Sequence, residues 1–128
     1  MKRLIVDLDD TISFNIASDY SEALLNGSIV NKLKKYQENG FSIVINTSRN
    51  MRTHKGNVGK INAQTLPLII EWLNKHNVPY DEIYTGKPWC GTEGFYIDDK
   101  AIRPAEFVNY NYEEIMEIIK RDTLEPDS

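Results

Sequence analysis

At 128 residues the chain has the commonest size of a single domain, 1–128, and can bury one sizeable core. Its composition, 41% hydrophobic and 27% charged, excludes disordered and fibrous classes. The net charge of -4 argues against a protein that tracks long nucleic acid by counterion release, although a local basic patch is compatible with it. Cys90 is the one cysteine, so no internal disulfide forms, and the amino terminus enters an apolar strand without a secretory leader. The expected location is the cytoplasm. The longest apolar run, Leu66-Pro67-Leu68-Ile69-Ile70, is far short of the roughly 20 residues that span a bilayer, and no membrane partner is expected.

In chain order, residues 3–6 predict a first strand that runs into Asp7, Asp9 and Asp10. An irregular polar segment, 13–27, follows. Ser28 is placed to cap a helix in which Ile29, Val30, Leu33 and Tyr36 recur at helical spacing until Gly40 stops it. Phe41–Ile45 is a continuous apolar, β-branched run that suits a strand buried on both faces, and it ends at Asn46-Thr47-Ser48-Arg49. A helix is predicted over Ala63–His76, with Leu66, Ile69, Ile70 and Leu73 on one face and Pro67 tolerable in its first turn. Glu82–Thr85 reads as a third strand and Gly94–Ile97 as a fourth, entering Asp98-Asp99. Asn111 and Glu114 form a capping pair for a last helix with Ile115, Ile118 and Ile119 on its apolar face, and residues 122–128 read as a tail. The alternation of strands and helices predicts an α/β domain, a three-layer Rossmann-like arrangement of a mainly parallel sheet with helices on both faces.

In such sheets ligands bind at the carboxyl ends of the strands, which would gather Asp7, Asp9, Thr47, Lys87, Asp98 and Asp99. Asp7 and Asp9 project to one side of an extended strand, so their charges repel unless they share a proton or meet a hard cation such as Mg²⁺. Taken alone, Asp9-Asp10-Thr11 is equally well a polar turn. Together the residue types fit phosphoryl transfer: a carboxylate nucleophile, a second carboxyl as acid and base, a hydroxyl, a cation and acids for a metal.

These motifs resemble those of the haloacid dehalogenase superfamily of aspartate-dependent phosphatases: Asp7-Leu8-Asp9-Asp10-Thr11 the first, Thr47 the second, Lys87 the third and Ile97-Asp98-Asp99 the fourth. More narrowly, Thr47–Arg52, Gly86–Gly91 and Gly94–Pro104 resemble small capless phosphatases of capsule biosynthesis. The resemblance implies a nucleophile at Asp7, an acid and base at Asp9, and phosphate contacts from Thr47 and Lys87. It implies Mg²⁺ held by Asp7, Asp9 and Asp98 or Asp99, and a small phosphorylated sugar or sugar-like substrate met by Thr47, Ser48, Arg49, Asn50, Arg52 and Lys87. No large cap domain is present, so residues 13–27, residues 49–60 or a second subunit would have to roof the site. Glycine is common in such families where this chain has Asp10, which reads best as a turn residue.

Competing readings attach to several residues. Arg49, Arg52, His54, Lys55 and Lys60 form a basic cluster that either recognises substrate or is a solvated loop, and Lys55 or Lys60 competes with Lys87 as the phosphate cation. Cys90 reads as an inert thiol, Trp72 as core, and Trp89 as a residue able to contact substrate. A polynucleotide 3′-phosphatase is the rival enzyme, disfavoured by the negative net charge. A receiver-like signalling module would need an acceptor Asp after the middle strand, where Asn46-Thr47-Ser48-Arg49 stands, and a non-catalytic phosphate binder would not need both Asp7 and Asp9.

Overall fold

The computed structural model describes all residues except 16–18, 123, 127 and 128. It forms two compact units, Met1–Trp89 and Cys90–Ser128. The first is an α/β unit whose central feature is a three-stranded parallel sheet flanked by helices. Its strands are β1 (Arg3–Val6), β4 (Ser42–Asn46) and β5 (Glu82–Tyr84), in the order β1-β4-β5. Arg3 lies opposite Ser42 and Val6 opposite Ile45, while Val44 lies opposite Glu82 and Asn46 opposite Tyr84. All three strands therefore end together. Ile43, Val44 and Ile45 are buried although they alternate in direction, as a central strand covered on both sides requires.

A small antiparallel hairpin, β2 (Ser13–Phe14) with β3 (Leu24–Leu25), occupies the segment expected to be irregular, part of which lies outside the described residues. Leu8, Ile12 and Ala23 bury around it, and Asn26 closes it by donating from N–H and Nδ2 to the carbonyls of Ile12 and Thr11. That commitment moves the start of α1 (Gly27–Glu38). Asn26, not Ser28, takes the cap position, and its amide serves the hairpin rather than the helix. Ile29, Val30, Leu33 and Tyr36 are buried as their spacing predicts, and the helix stops at Gly40, whose φ of +90° suits glycine.

The helix expected over Ala63–His76 is instead assembled from three pieces. A single turn, α2 (Val58–Lys60), is capped by Asn57, whose Oδ1 accepts from Lys60 N–H at 3.1 Å. A π turn over Ile61–Thr65 leads into α3 (Leu66–Lys75), and Leu66 N–H reaches back to Ile61 O across the wider turn. Pro67 supplies the reason: it has no N–H for an α bond and its ring crowds the preceding turn, so it is accommodated only where a new helix begins. Trp72 is core as expected, with Nε1–H donating to Ala23 O at 3.2 Å.

The second unit carries α4 (Pro104–Asn109) and α5 (Tyr112–Arg121). The capping pair opens α5: Asn111 Oδ1 accepts from Glu114 N–H and Glu114 Oε1 from Asn111 N–H, each at 2.9 Å. Helix α4 was not anticipated, although Pro104 followed by Glu106, which accepts from Arg103 N–H, is a start signal of the same kind. The expected fourth strand does not form. Gly94–Ile97 forms no strand, and Phe95 and Ile97 are 76% and 89% exposed. A strand exists through its ladder, and these residues enter none among those described. Residues 122–128, expected as a tail, lie partly outside the described residues; 124–126 are irregular. Among the described residues no helix is long and apolar enough to cross a membrane.

Candidate active site

The common end of the three strands brings Asp7, Thr47 and Lys87 into adjoining positions. Beyond the strands the ladder continues: Thr47 N–H donates to Tyr84 O at 2.9 Å, and Lys87 N–H donates to Thr47 O at 3.1 Å. Gly86 makes that approach possible. Its φ is +83°, and a Cβ there would lie 2.9 Å from Val58 Cγ2.

Asp7 leaves β1 half-buried. Its Oδ1 receives Lys87 Nζ at 3.4 Å and its Oδ2 receives Thr11 Oγ1 at 3.2 Å. Burial pushes its carboxyl above the usual aspartate value, against the opposing pull of Lys87 and Thr11, and the neighbouring Asp9 charge adds to the rise. Lys87, not Lys55 or Lys60, is the ammonium beside Asp7 among the described residues. Thr47 is 1% exposed, and its Oγ1 accepts from Arg49 N–H at 3.1 Å, which leaves the hydroxyl hydrogen as a donor toward a ligand oxygen.

Asp9 has different company. Arg49 donates from Nη2 to Oδ1 at 2.6 Å and from Nε to Oδ2 at 3.3 Å, and Asn15 Nδ2 adds a bond to Oδ1 at 2.7 Å. The Arg49 guanidinium lies 4.1 Å from the ring centre of Tyr20, which stands in the short 3₁₀ turn Tyr20–Glu22. Sequence reasoning named neither Asn15 nor Tyr20; both sit in a polar stretch whose spacing carries no period. Asp10 occupies an exposed left-handed turn with φ +61°, where glycine is the easiest residue and aspartate is tolerated. The turn works because Leu8 O accepts from the N–H groups of Thr11, Ile12 and Ser13.

Of the remaining candidates, Ser48 O anchors the next turn by accepting from Met51 N–H, and Asn50 Nδ2 donates to Thr65 Oγ1 at 2.7 Å. The exposed Arg52 guanidinium lies 5.6 Å from the ring centre of Trp89. Asp98 and Asp99 belong to the second unit, on an exposed turn where Asp98 Oδ1 accepts from Lys100 N–H at 2.9 Å. The Cys90 thiol contacts Gly91 O at 3.6 Å.

A crystal structure of an MCSG target from Vibrio cholerae is 56% identical to this chain, with a TM-score of 0.94 over 96% of this chain and 100% of that one. The chain belongs to the family of that Vibrio protein. Among other solved structures, a chain of the Pnkp1/Rnl/Hen1 complex matches 84% of this chain and 33% of its own length, at 20% identity and a TM-score of 0.50. A chain of the Pnkp1/Rnl/Hen1 RNA repair complex matches 72% of this chain and 28% of its own length, at 17% identity and the same TM-score. These two likenesses are of fold. No protein-family model and no curated protein matches the chain.

Proposed function

We propose that the protein is a Mg²⁺-dependent phosphomonoester hydrolase of the haloacid dehalogenase type, with Asp7 as its nucleophile. The observation that supports this best is the placement of Asp7 at the carboxyl end of β1 with Lys87 Nζ 3.4 Å away and the buried Thr47 hydroxyl on the neighbouring strand end. An Asp7 oxygen attacks phosphorus in line, the bond from phosphorus to the leaving oxygen breaks, and Asp9 protonates that oxygen. Water then attacks the aspartyl phosphate, Asp9 takes its proton, and Asp7 and inorganic phosphate are released. Lys87 and Thr47 hold phosphate oxygens, with Ser48, Asn50 and Arg52 in the same loop as further substrate contacts.

The donor set suits Mg²⁺. Among the described residues no three His, Cys, Asp or Glu side chains gather closely enough to cage a metal. Mg²⁺ needs no such cage, because one or two carboxylates suffice when water and substrate phosphate complete its shell. Asp7 is a hard oxygen donor at the exit of β1, and the Asp9 carbonyl would be the ion's second ligand. Asp98 or Asp99 is assigned as a further carboxylate on the resemblance alone. When bound, the ion offsets the repulsion between the Asp7 carboxylate and the phosphate.

The substrate we assign is a small phosphorylated sugar or sugar-like intermediate of surface-polysaccharide synthesis, following the capsule-phosphatase resemblance. The second reading is a polynucleotide 3′-phosphatase, favoured by the likeness of fold to chains of the Pnkp1/Rnl/Hen1 complexes. Phosphate release by purified protein with Mg²⁺, measured on sugar phosphates and 3′-phosphorylated oligonucleotides with Asp7→Asn in parallel, separates the two. Turnover of sugar phosphates that the variant loses supports the first; preference for oligonucleotides supports the second; turnover that survives in the variant, or none at all, overturns both.

A further inference from the structure

Arg49 stands in the loop assigned to substrate, yet its side chain is only 4% exposed. Its Nε and Nη2 donate to the two oxygens of Asp9, and the face of its guanidinium is covered by Tyr20. A planar fork that engages both oxygens of one carboxyl fixes the rotation of that group, which a single lysine ammonium cannot do. We propose that Arg49, braced by the Tyr20 ring, is the positioning residue that orients the Asp9 carboxyl for proton transfer to the leaving oxygen. This rests on the phosphatase reading above.

Among the described residues Asp9 Oδ1 is held twice, by Arg49 Nη2 at 2.6 Å and by Asn15 Nδ2 at 2.7 Å, whereas Oδ2 has the one longer contact with Arg49 Nε at 3.3 Å. Oδ1 is the anchor, and Oδ2 is the oxygen able to carry a proton to the substrate and later to receive one from water. Arg49 is tied at its other end as well, since its N–H donates to Thr47 Oγ1. One residue thus links the acid and base to the phosphate-binding hydroxyl. Asn15 and Tyr20 both stand between β2 and β3 in the chain.

Protonation by Asp9 matters in proportion to the basicity of the leaving oxygen. An alkyl phosphate needs it and para-nitrophenyl phosphate does not. The test compares kcat/KM for glycerol phosphate and para-nitrophenyl phosphate, with Mg²⁺, in wild type, Arg49→Lys and Tyr20→Leu. The expected result is a fall on glycerol phosphate at least about 10-fold larger than on the aryl ester in Arg49→Lys, and a smaller bias of the same sign in Tyr20→Leu. Equal losses on both substrates overturn the proposal and return Arg49 to substrate binding or to structure, while the phosphatase reading stands. A wild type that cleaves the aryl ester alone has no acid step for Arg49 to serve and also overturns it. A wild type that cleaves neither these nor the sugar phosphates and 3′-phosphorylated oligonucleotides above removes the phosphatase reading and this role with it; one that cleaves an alkyl phosphate of that panel is compared on that ester in place of glycerol phosphate. Should Arg49→Lys fail to give a cooperative thermal transition, Tyr20→Leu, whose substitution keeps both charged partners, decides the matter.

Discussion

The strand exit at Asp7 and the hairpin side at Asp9 differ in how completely each carboxylate is met. Among the described residues Asp7 meets an ammonium at 3.4 Å and a hydroxyl, and burial leaves it raised above the ordinary aspartate value. Asp9 has an arginine fork and an amide, with the arginine itself buried. Two aspartates separated by one residue thereby acquire different capacities. On the proposed reading the less compensated carboxylate is the one left to meet phosphorus or a cation, while the one held on both oxygens keeps its direction. The environment, not the residue type, divides the labour.

The largest effect that would break this contrast concerns Asp7. Asp7→Asn should lower phosphate release by at least about a thousand-fold, because an amide oxygen cannot carry the phosphoryl group; retention of activity in a steady-state assay would remove Asp7 from the nucleophile's place. Next comes the arginine fork. Arg49→Ala strands the Asp9 carboxylate in a part-buried site, and chemical denaturation should show a loss of roughly 3 kcal/mol. Arg52→Ala, at an exposed position, should change the same measurement by less than about 0.5 kcal/mol. Equal effects would mean that the buried pair with Asp9 is not what distinguishes the two arginines.

Lys87→Ala should reduce kcat/KM about 10- to 100-fold, with Lys87→Arg restoring part of it, since on the proposed reading its ammonium beside Asp7 also meets the substrate phosphate. Restoration by Lys87→Gln instead would make the charge irrelevant. The smallest effect is on stability against pH. The Asp7 folded value lies above the ordinary 3.8, so the unfolded chain loses its proton first. The contribution of this group to stability therefore falls as pH rises through the folded value. Without divalent cations, Asp7→Asn should gain in Tm relative to wild type as pH climbs from about 4 toward neutrality. A difference in Tm that stays flat, or reverses, would show that Lys87 and Thr11 compensate the buried charge fully.

Local patterns were legible wherever a short period carried them. The buried stripe of α1, the capping box of α5, the stop at Gly40 and the three paired strands all follow from residues a few positions apart. What failed did so for non-local reasons. Ser28 looked like a cap because nothing nearby revealed that Asn26 closes the hairpin. Ala63–His76 looked like one helix because the periodicity of its apolar face survives the π turn that Pro67 imposes. Phe95–Ile97 has strand composition, but composition supplies no ladder partner.

The sequence by itself determined the parallel α/β plan and the carboxyl ends of β1, β4 and β5 as the place of Asp7, Thr47 and Lys87, whereas Asp98 and Asp99, expected at the end of a fourth strand, follow no strand. Only the tertiary structure decided which cation serves which carboxylate. Arg49 reaches Asp9 across 40 residues and Lys87 reaches Asp7 across 80, while Asn15 and Tyr20 arrive through a hairpin with no period to announce it. Side-chain spacing encodes faces over one or two turns of backbone. Pairing between distant charges is set by strand order and register, which exist only once the core formed by β4 and its neighbours has closed.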